Sequence, residues 1–396
     1  MAIVIFGDNF SFPEGNAATN RIYTYAKGFT ENNVNTYVIC NRNDYLTDGN
    51  GVIDRIQYFN PINQTERSNS FVKRNWFKVV KYLNTIRLIK RIHKQDKITA
   101  LLIDTHDNST HLFSYYLARK INTKLIVEKS EHPLRLFQGN SLKKLQGLIK
   151  LKVESRFCDG ILCISQFLVD FYMHHGLPQS KLILIPSTVD PYRFIETGGK
   201  PVSYKYIGYF GGLTFNRDNI DVLINAFALT SNNHPDIHLV VGGFCTEKER
   251  KQLENLILDL KLSSKVNMLE YLPRSEIISY IIHSYILVMV RAKDLETSAS
   301  FPSKLTEYLV TSKPIVTVNV GEISDYLTDG VNSFLVEPGN CDKLAEKISF
   351  VLDNYTFALE VAERGKQLTN TVFNYKVQAL RVIEYINSLN GWKNEI

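Results

Sequence analysis

The stretch at residues 300–309, Ser-Phe-Pro-Ser-Lys-Leu-Thr-Glu-Tyr-Leu, places a lysine and a glutamate three residues apart, shortly before Lys313-Pro314 and an apolar run. Three-residue spacing sets Lys304 and Glu307 on one helix face, near the helix start. Unpaired N–H groups at a helix start, together with a lysine, suit a phosphate. A carboxylate one turn further on can accept hydrogen bonds from a ribose diol. The same spacing also describes an ordinary solvated ion pair. Ser300 is expected as the N-cap, with Pro302 in the first turn, where its missing N–H costs nothing. Leu305, Tyr308 and Leu309 give one apolar stripe. Lys313-Pro314 closes the helix, because a residue before proline avoids the α region, and a buried strand follows.

Other chemistry-bearing residues stand just past apolar runs. Residues 2–6 read as a central strand, and the loop after it carries Gly15 and Asn16 ahead of a helix, where backbone can approach a ligand. A second run, 206–210, meets Gly211-Gly212, then Arg217, then a helix start, which is a phosphate-cradling order but also that of any tight strand-to-helix turn. Residues 100–104 end in Asp-Thr-His-Asp with His106, and 124–127 end in a polar loop with Glu131 and His132. Either histidine could bond a substrate hydroxyl or simply sit on a surface loop. Tyr271, past another strand, could stack on a base or cover the core. Open α/β sheets bind ligands outside the carboxyl ends of their strands, which is where these residues fall.

The elements that must position them alternate, strand then helix, twice along the chain. The polar, glycine-bearing stretch 195–203 is the expected boundary between two parallel-sheet domains. The first is expected over 1–192, completed by a C-terminal helix at about 376–396, and the second over 204–375. In that tail helix Val377, Leu380, Ile383 and Ile386 read as the buried stripe. A chain of 396 residues is long enough for two such cores. Five scattered cysteines, an odd number, point to thiols in a cytoplasm rather than a disulfide framework, and Cys158 and Cys163 lack zinc-site spacing. The start of the chain reads as a strand, with no basic leader or cleavage site, and no apolar run is long enough to span a membrane.

A net charge of +6 is modest and implies no nucleic-acid partner. The charge is uneven, however. Residues 71–97 and 142–152 are helical, rich in lysine and arginine, and interleaved with Trp76, Leu83, Leu145 and Ile149. Such segments are either solvated faces or seats for an anionic membrane surface.

Assembled in order, these motifs resemble the retaining nucleotide-sugar glycosyltransferases of family 4, with the GT-B fold: two Rossmann-like parallel-sheet domains facing across a cleft. The resemblance covers nearly the whole chain, and its most specific part is the Glu307…Lys313-Pro314 element. That family has a glutamate, seven residues, and a second glutamate. Glu307 matches the second, whereas Ala299 stands at the first, so Glu296 and Ser298 are the nearby groups left to hold the donor sugar. The resemblance implies that Glu307 binds the donor ribose, that Arg217 and Lys304 meet the diphosphate, and that His132, with His106 as the alternative, contacts the donor sugar. It also implies donor contacts at Gly15, Asn16, Gly211, Gly212, Tyr271, Ser300, Phe301, Pro302 and Ser303, and acceptor contacts at His106 and Glu131.

The implied partners are a nucleoside-diphosphate sugar and a glycan or lipid-linked acceptor hydroxyl, with no cofactor and no metal. The implied setting is bacterial surface polysaccharide or glycoconjugate assembly, in the cytoplasm or peripherally on the inner face of the plasma membrane. Alternatives are another GT-B enzyme, an epimerase or an inverting transferase, or a catalytically degenerate nucleotide-sugar-binding subunit.

Overall fold

The computed structural model describes residues 1–15, 17–42, 49–62, 66, 68–131, 141–195, 199–270 and 272–391. The chain divides into two compact units, Met1–Thr188 with Tyr375–Ile396, and Val189–Asn374. The division falls ahead of the polar stretch at 195–203.

The N-terminal unit runs β1 (Ala2–Gly7), α1 (Ala17–Glu31), β2 (Asn35–Cys40), β3 (Gly51–Ile53), β4 (Ile56–Phe59), α2 (Phe71–Gln95) and β5 (Ile98–Asp104). It continues through α3 (Asn108–Lys120), β6 (Lys124–Lys129), α4 (Ser141–Arg156), β7 (Gly160–Cys163), α5 (Gln166–His174) and β8 (Leu182–Leu184). The other unit runs β9 (Tyr206–Phe210), α6 (Ile220–Asn233), β10 (His238–Gly242), α7 (Glu247–Asp259), β11 (Val266–Met268), α8 (Arg274–His283) and β12 (Ile286–Met289). After these come α9 (Leu295–Ser298), α10 (Ser303–Val310), β13 (Ile315–Val318), α11 (Ile323–Tyr326), β14 (Phe334–Val336), α12 (Cys341–Asp353) and α13 (Tyr355–Lys366). The last helix, α14 (Tyr375–Leu389), returns to the N-terminal unit.

The N-terminal sheet has the order β3-β4-β2-β1-β5-β6-β7-β8, and the second β11-β10-β9-β12-β13-β14. Every pairing is parallel except that of β3 with β4, so the first sheet is mixed at one edge. Asp54 and Arg55 both take positive φ, 49° and 65°, which gives the tight turn that hairpins need. An Asp-Arg pair lacks the usual Asn-Gly turn signal, so this hairpin had no mark in the sequence. Central strands are buried on both faces, as the unbroken apolar runs of β1, β5 and β12 require.

Crossovers between parallel strands are right-handed. Connections from β4 to β8 all advance the same way along the sheet, which lays α2, α3, α4 and α5 on one face. The connection from β1 to β2 runs the other way and sets α1 on the opposite face, where α14 packs on it. A Cβ at Gly28 of α1 would lie 2.5 Å from Ala379 Cβ and 2.7 Å from the Tyr375 carbonyl oxygen, so the two helices touch backbone to backbone there. That contact sets the buried face of α14 as Tyr375, Ala379, Val382, Ile383 and Ile386. Val377 and Leu380 are exposed, which corrects the expected stripe. Periodicity alone left two faces of similar polarity, and close approach at a glycine chose between them.

Arg21 of α1 is buried under the C-terminal ends of the strands. It pairs with Glu128 of β6 and donates to the carbonyls of Pro186, at 3.0 Å, and Ile185, at 2.9 Å. Substituting Arg21→Met should cost about 3–5 kcal/mol, because Glu128 is left as an uncompensated buried charge. Urea unfolding measures this, and an unchanged midpoint would refute the account.

Candidate functional site

In the second sheet the strand order reverses between β9 and β12, and such switch points hold ligands at the carboxyl ends of the strands. Gly211-Gly212 follows β9 and Arg291 follows β12. The glycine loop is tied down on several sides. The N–H of Gly211 donates to Gly242 O at 2.9 Å, and that of Leu213 to Phe244 O at 2.9 Å. The hydroxyl of Tyr308 on α10 accepts from the N–H of Phe210 at 2.7 Å and donates to its carbonyl at 3.2 Å. This explains why the apolar stripe of α10 includes a tyrosine, since its polar tip meets strand-end backbone.

The anchored α10 carries Lys304 to the glycines. Its ammonium donates to the Tyr209 hydroxyl at 2.9 Å, lies 3.4 Å from Asp218 Oδ1, and sits 4.6 Å from the Tyr209 ring centre. A Cβ at Gly211 would come 2.2 Å from Lys304 Nζ, and one at Gly212 would come 2.4 Å from Asp218 Oδ2. The glycines are therefore required by the charged side chains that cross them. Tyr209 passes the chain of bonds on to Gly212 O at 2.8 Å, and the Thr214 hydroxyl donates to Asp218 at 2.8 Å.

Arg291 is buried. One of its nitrogens donates to Ser300 Oγ at 3.0 Å, and Nη1 has no partner. Ser300 in turn donates to the Glu296 carbonyl at 3.0 Å. Ser300 is therefore not the N-cap, because Pro302 occupies that position and offers no side-chain bond. The hydroxyl serves the buried guanidinium instead, a stronger partner than one backbone amide. Arg217 is exposed, and its carbonyl accepts from Ala292 N–H at 2.9 Å, joining the loops after β9 and β12.

Lys304 thus lies beside Asp218, with Arg291 and Arg217 near enough for their charges to act on it. Burial, then the nearby charge of Arg217, pulls Arg291 down to about 10. Burial pulls Lys304 down to about 8, with Arg291 and Arg217 adding to the fall and Asp218 opposing it. Burial is the main cause of both shifts, and neighbouring cations deepen them.

Glu307, one turn further along α10, is largely buried and bonded by Arg274 at the start of α8. Lys304 and Glu307 therefore reach separate partners, and the solvated-pair reading fails. Ser303 is half-buried at the start of α10, and Pro302 is buried. Phe301 is buried against Tyr326 and Phe373, with ring centres 5.3 and 5.1 Å away. Its side chain holds the turn before α10. Ala299 is buried at the end of α9, and Ser298 Oγ donates to the Asp294 carbonyl at 2.6 Å. The residues missed in the sequence are Tyr209, Asp218, Arg274 and Arg291. Asp218 stands beside Arg217 and Arg291 at a strand end, which was the available signal.

In the N-terminal unit Gly15 is exposed, and a Cβ there would meet Thr19 Oγ at 2.4 Å. His106 is exposed, with Nδ1 3.4 Å from Lys150 Nζ, and Glu131 is exposed. Lys150 is held by Glu154, which also bonds Lys129 and the Tyr172 hydroxyl. Burial pushes Asp104 up to about 7, helped by Glu128. Asn16, His132 and Tyr271 lie outside the described residues.

Residues 193–368 match the family of glycosyl transferases group 1. The fold of the chain is that of GT-B glycosyltransferases, and the segment that builds the lysine–arginine site is the one the family match covers. Among individual proteins, it is similar to sucrose-phosphate synthase from Thermosynechococcus elongatus (TM-score 0.74, 14% identity, 99% of this chain and 100% of that one). It is also similar to HepE of Anabaena in complex with UDP-glucose (TM-score 0.72, 15% identity, 98% of this chain and 100% of that one). An uncharacterized glycosyltransferase of Methanocaldococcus jannaschii is 24% identical over 241 residues, 60% of this chain and 63% of that relative's length.

Proposed function

We propose that the protein transfers a sugar from a nucleoside-diphosphate donor to an acceptor hydroxyl, with retention of anomeric configuration. The observation that carries this is Lys304 lying across Gly211 beside Asp218, with buried Arg291 and exposed Arg217 near enough for their charges to act on it. Charge builds on the diphosphate as the bond to the anomeric carbon breaks, and fixed cations in a partly dry site stabilise it. The acceptor oxygen bonds to that carbon while its proton passes to a phosphate oxygen of the leaving group. In this reading Glu307, oriented by Arg274, takes the ribose hydroxyls, and Gly15, Asn16, Tyr271, His132, His106 and Glu131 keep the donor and acceptor roles assigned above. The chain's own cations do the work, with no added metal. The acceptor is a glycan or lipid-linked hydroxyl in surface polysaccharide or glycoconjugate assembly, and the setting is the cytoplasm. A binding-only subunit is the second reading, favoured by Ala299 at the family's first glutamate, and release of free sugar from a bound donor excludes it.

A thermal-shift screen against nucleoside diphosphates and their sugars, run in EDTA, tests the donor site, since a ligand bound only by the native state raises the melting point. No shift with any of them would overturn the proposal, and a shift seen only with magnesium would overturn its metal-free part. The shift should also depend on pH. Lys304 carries its charge below about 8 and loses it above, so donor affinity should fall as pH rises past that value. A bound diphosphate raises the lysine's proton affinity, so binding near pH 8–9 should take up protons. Calorimetry in buffers of different ionisation heat would show it, and pH-independent affinity from 7 to 10 would remove Lys304 from the phosphate.

A further inference from the structure

Helices α2, α3 and α4 lie together on one face of the N-terminal sheet. The Tyr82 hydroxyl on α2 is 2.9 Å from Thr110 on α3, and Tyr115 on α3 packs edge-on to Phe157 just past α4. Two of these helices have their polarity turned inside out. α4 buries Lys150 and Glu154, the latter 1% exposed, and gives Leu142, Leu145, Leu148 and Ile149 to solvent. α2 buries Lys81 and Thr85 along with Ile89 and Ile92, and nothing in its first ten residues. On the opposite side of α2, Val72, Trp76, Val79 and Leu83 recur at helical spacing and are exposed, Trp76 by 63%. Between the two, α3 exposes Leu112 and Tyr116. The buried charges explain the inversion from inside, because Glu154 serves Lys129, Lys150 and Tyr172. They do not explain so much apolar surface outside, which in a folded chain marks an interaction face.

The charges on these helices say what it meets. Glu154 is the only acidic residue in all three, and it is buried. The exposed charges are basic, among them Lys73, Arg87, Lys90 and Lys94 on α2, and Lys144 and Lys152 on α4. Apolar side chains in a field of cations, with Asp107 at the N-cap of α3 as an exposed anion at its edge, complement a surface that is anionic above and apolar beneath. We infer that the α2–α3–α4 face docks on an anionic lipid bilayer, with Trp76 and its apolar neighbours entering the headgroup layer and the lysines and arginines meeting lipid phosphates. No helix among the described residues is long and apolar enough to cross a membrane, so the contact is with the surface. The inference stands apart from sugar transfer, since its test contains lipid and no donor.

The test is cosedimentation of the full chain with vesicles of phosphatidylcholine, with and without phosphatidylglycerol. The protein should pellet with the anionic vesicles at low salt and be released as salt shortens the range of the charges. Emission from Trp76, read in a Trp392→Phe background, should shift to the blue on binding. Lys90→Glu with Lys94→Glu should weaken binding about tenfold or more, each basic residue contributing a several-fold factor. Trp76→Ser with Leu145→Ser should weaken it independently, and all four positions are exposed, so an unchanged melting curve certifies the fold. Failure to pellet at low salt overturns the inference. So does equal binding to neutral vesicles that the charge reversals leave untouched. Dimerisation without lipid, abolished by the Trp76 and Leu145 changes, would assign the face to protein contact instead.

Discussion

Lys304→Met should lower the rate of sugar transfer by roughly 10²–10³-fold, the usual loss when one fixed donor to a developing oxyanion is removed. Methionine keeps most of the apolar stem that crosses Gly211 and removes only the charge and its bonds to Tyr209 and Asp218. Asp218 retains the Thr214 hydroxyl and the field of Arg291, so the unit should still fold. Steady-state rates with a donor found in the screen give the measurement, read beside the melting curve of the free protein. A variant within threefold of the parent would remove Lys304 from the chemistry. The loss should appear in kcat as well as KM, because the diphosphate gains charge in the transition state and the missing cation is felt most there.

Gly243→Ala should be the most damaging single methyl in the C-terminal unit. Its φ of +149° is one that side chains rarely adopt, and a Cβ would lie 1.6 Å from the carbonyl oxygen of Gly211. The obstacle is backbone, so no rotamer change relieves it, and the loop after β9 would have to leave its hydrogen bonds to Gly242 and Phe244. A loss of about 4 kcal/mol or more is expected, in the range reserved for the severest point substitutions. Gly211→Ala makes the useful contrast. There the clash is with the tip of Lys304, a flexible chain that can swing away. That variant should unfold near the parent's midpoint yet transfer sugar as poorly as Lys304→Met. Wild-type stability in Gly243→Ala would refute the packing account of the paired glycine loops.

The parallel-sheet fold was legible because its evidence is local. Apolar runs such as 2–6 and 100–104 announce buried strands, and the stripe Leu305, Tyr308, Leu309 is buried on α10 as the spacing implies. What stayed hidden depends on partners distant in sequence. Lys304 and Glu307 are neighbours on a helix, yet their partners, Asp218 and Arg274, lie 86 and 33 residues away. Ser300 has every local property of an N-cap and is drawn off by a guanidinium from the preceding strand end. Likewise α4 reads as an ordinary basic helix until Glu154 is seen to lie inward, beneath leucines that face out.

The return of α14 to the N-terminal unit has a consequence for biosynthesis. The Tyr375 hydroxyl reaches Glu31 at 2.6 Å, Asn32 reaches the Lys376 carbonyl at 3.0 Å, and a Cβ at Gly160 would strike the ring of Tyr385. While the ribosome is still working through the middle of the chain, the first Rossmann layer lacks this cover, and the outer side of α1 stands open to chaperones and to neighbouring nascent chains. The strands from β1 to β8 are thus made well before the helix that covers them, and the segment from Val189 to Asn374 has emerged whole before that sealing strip exists.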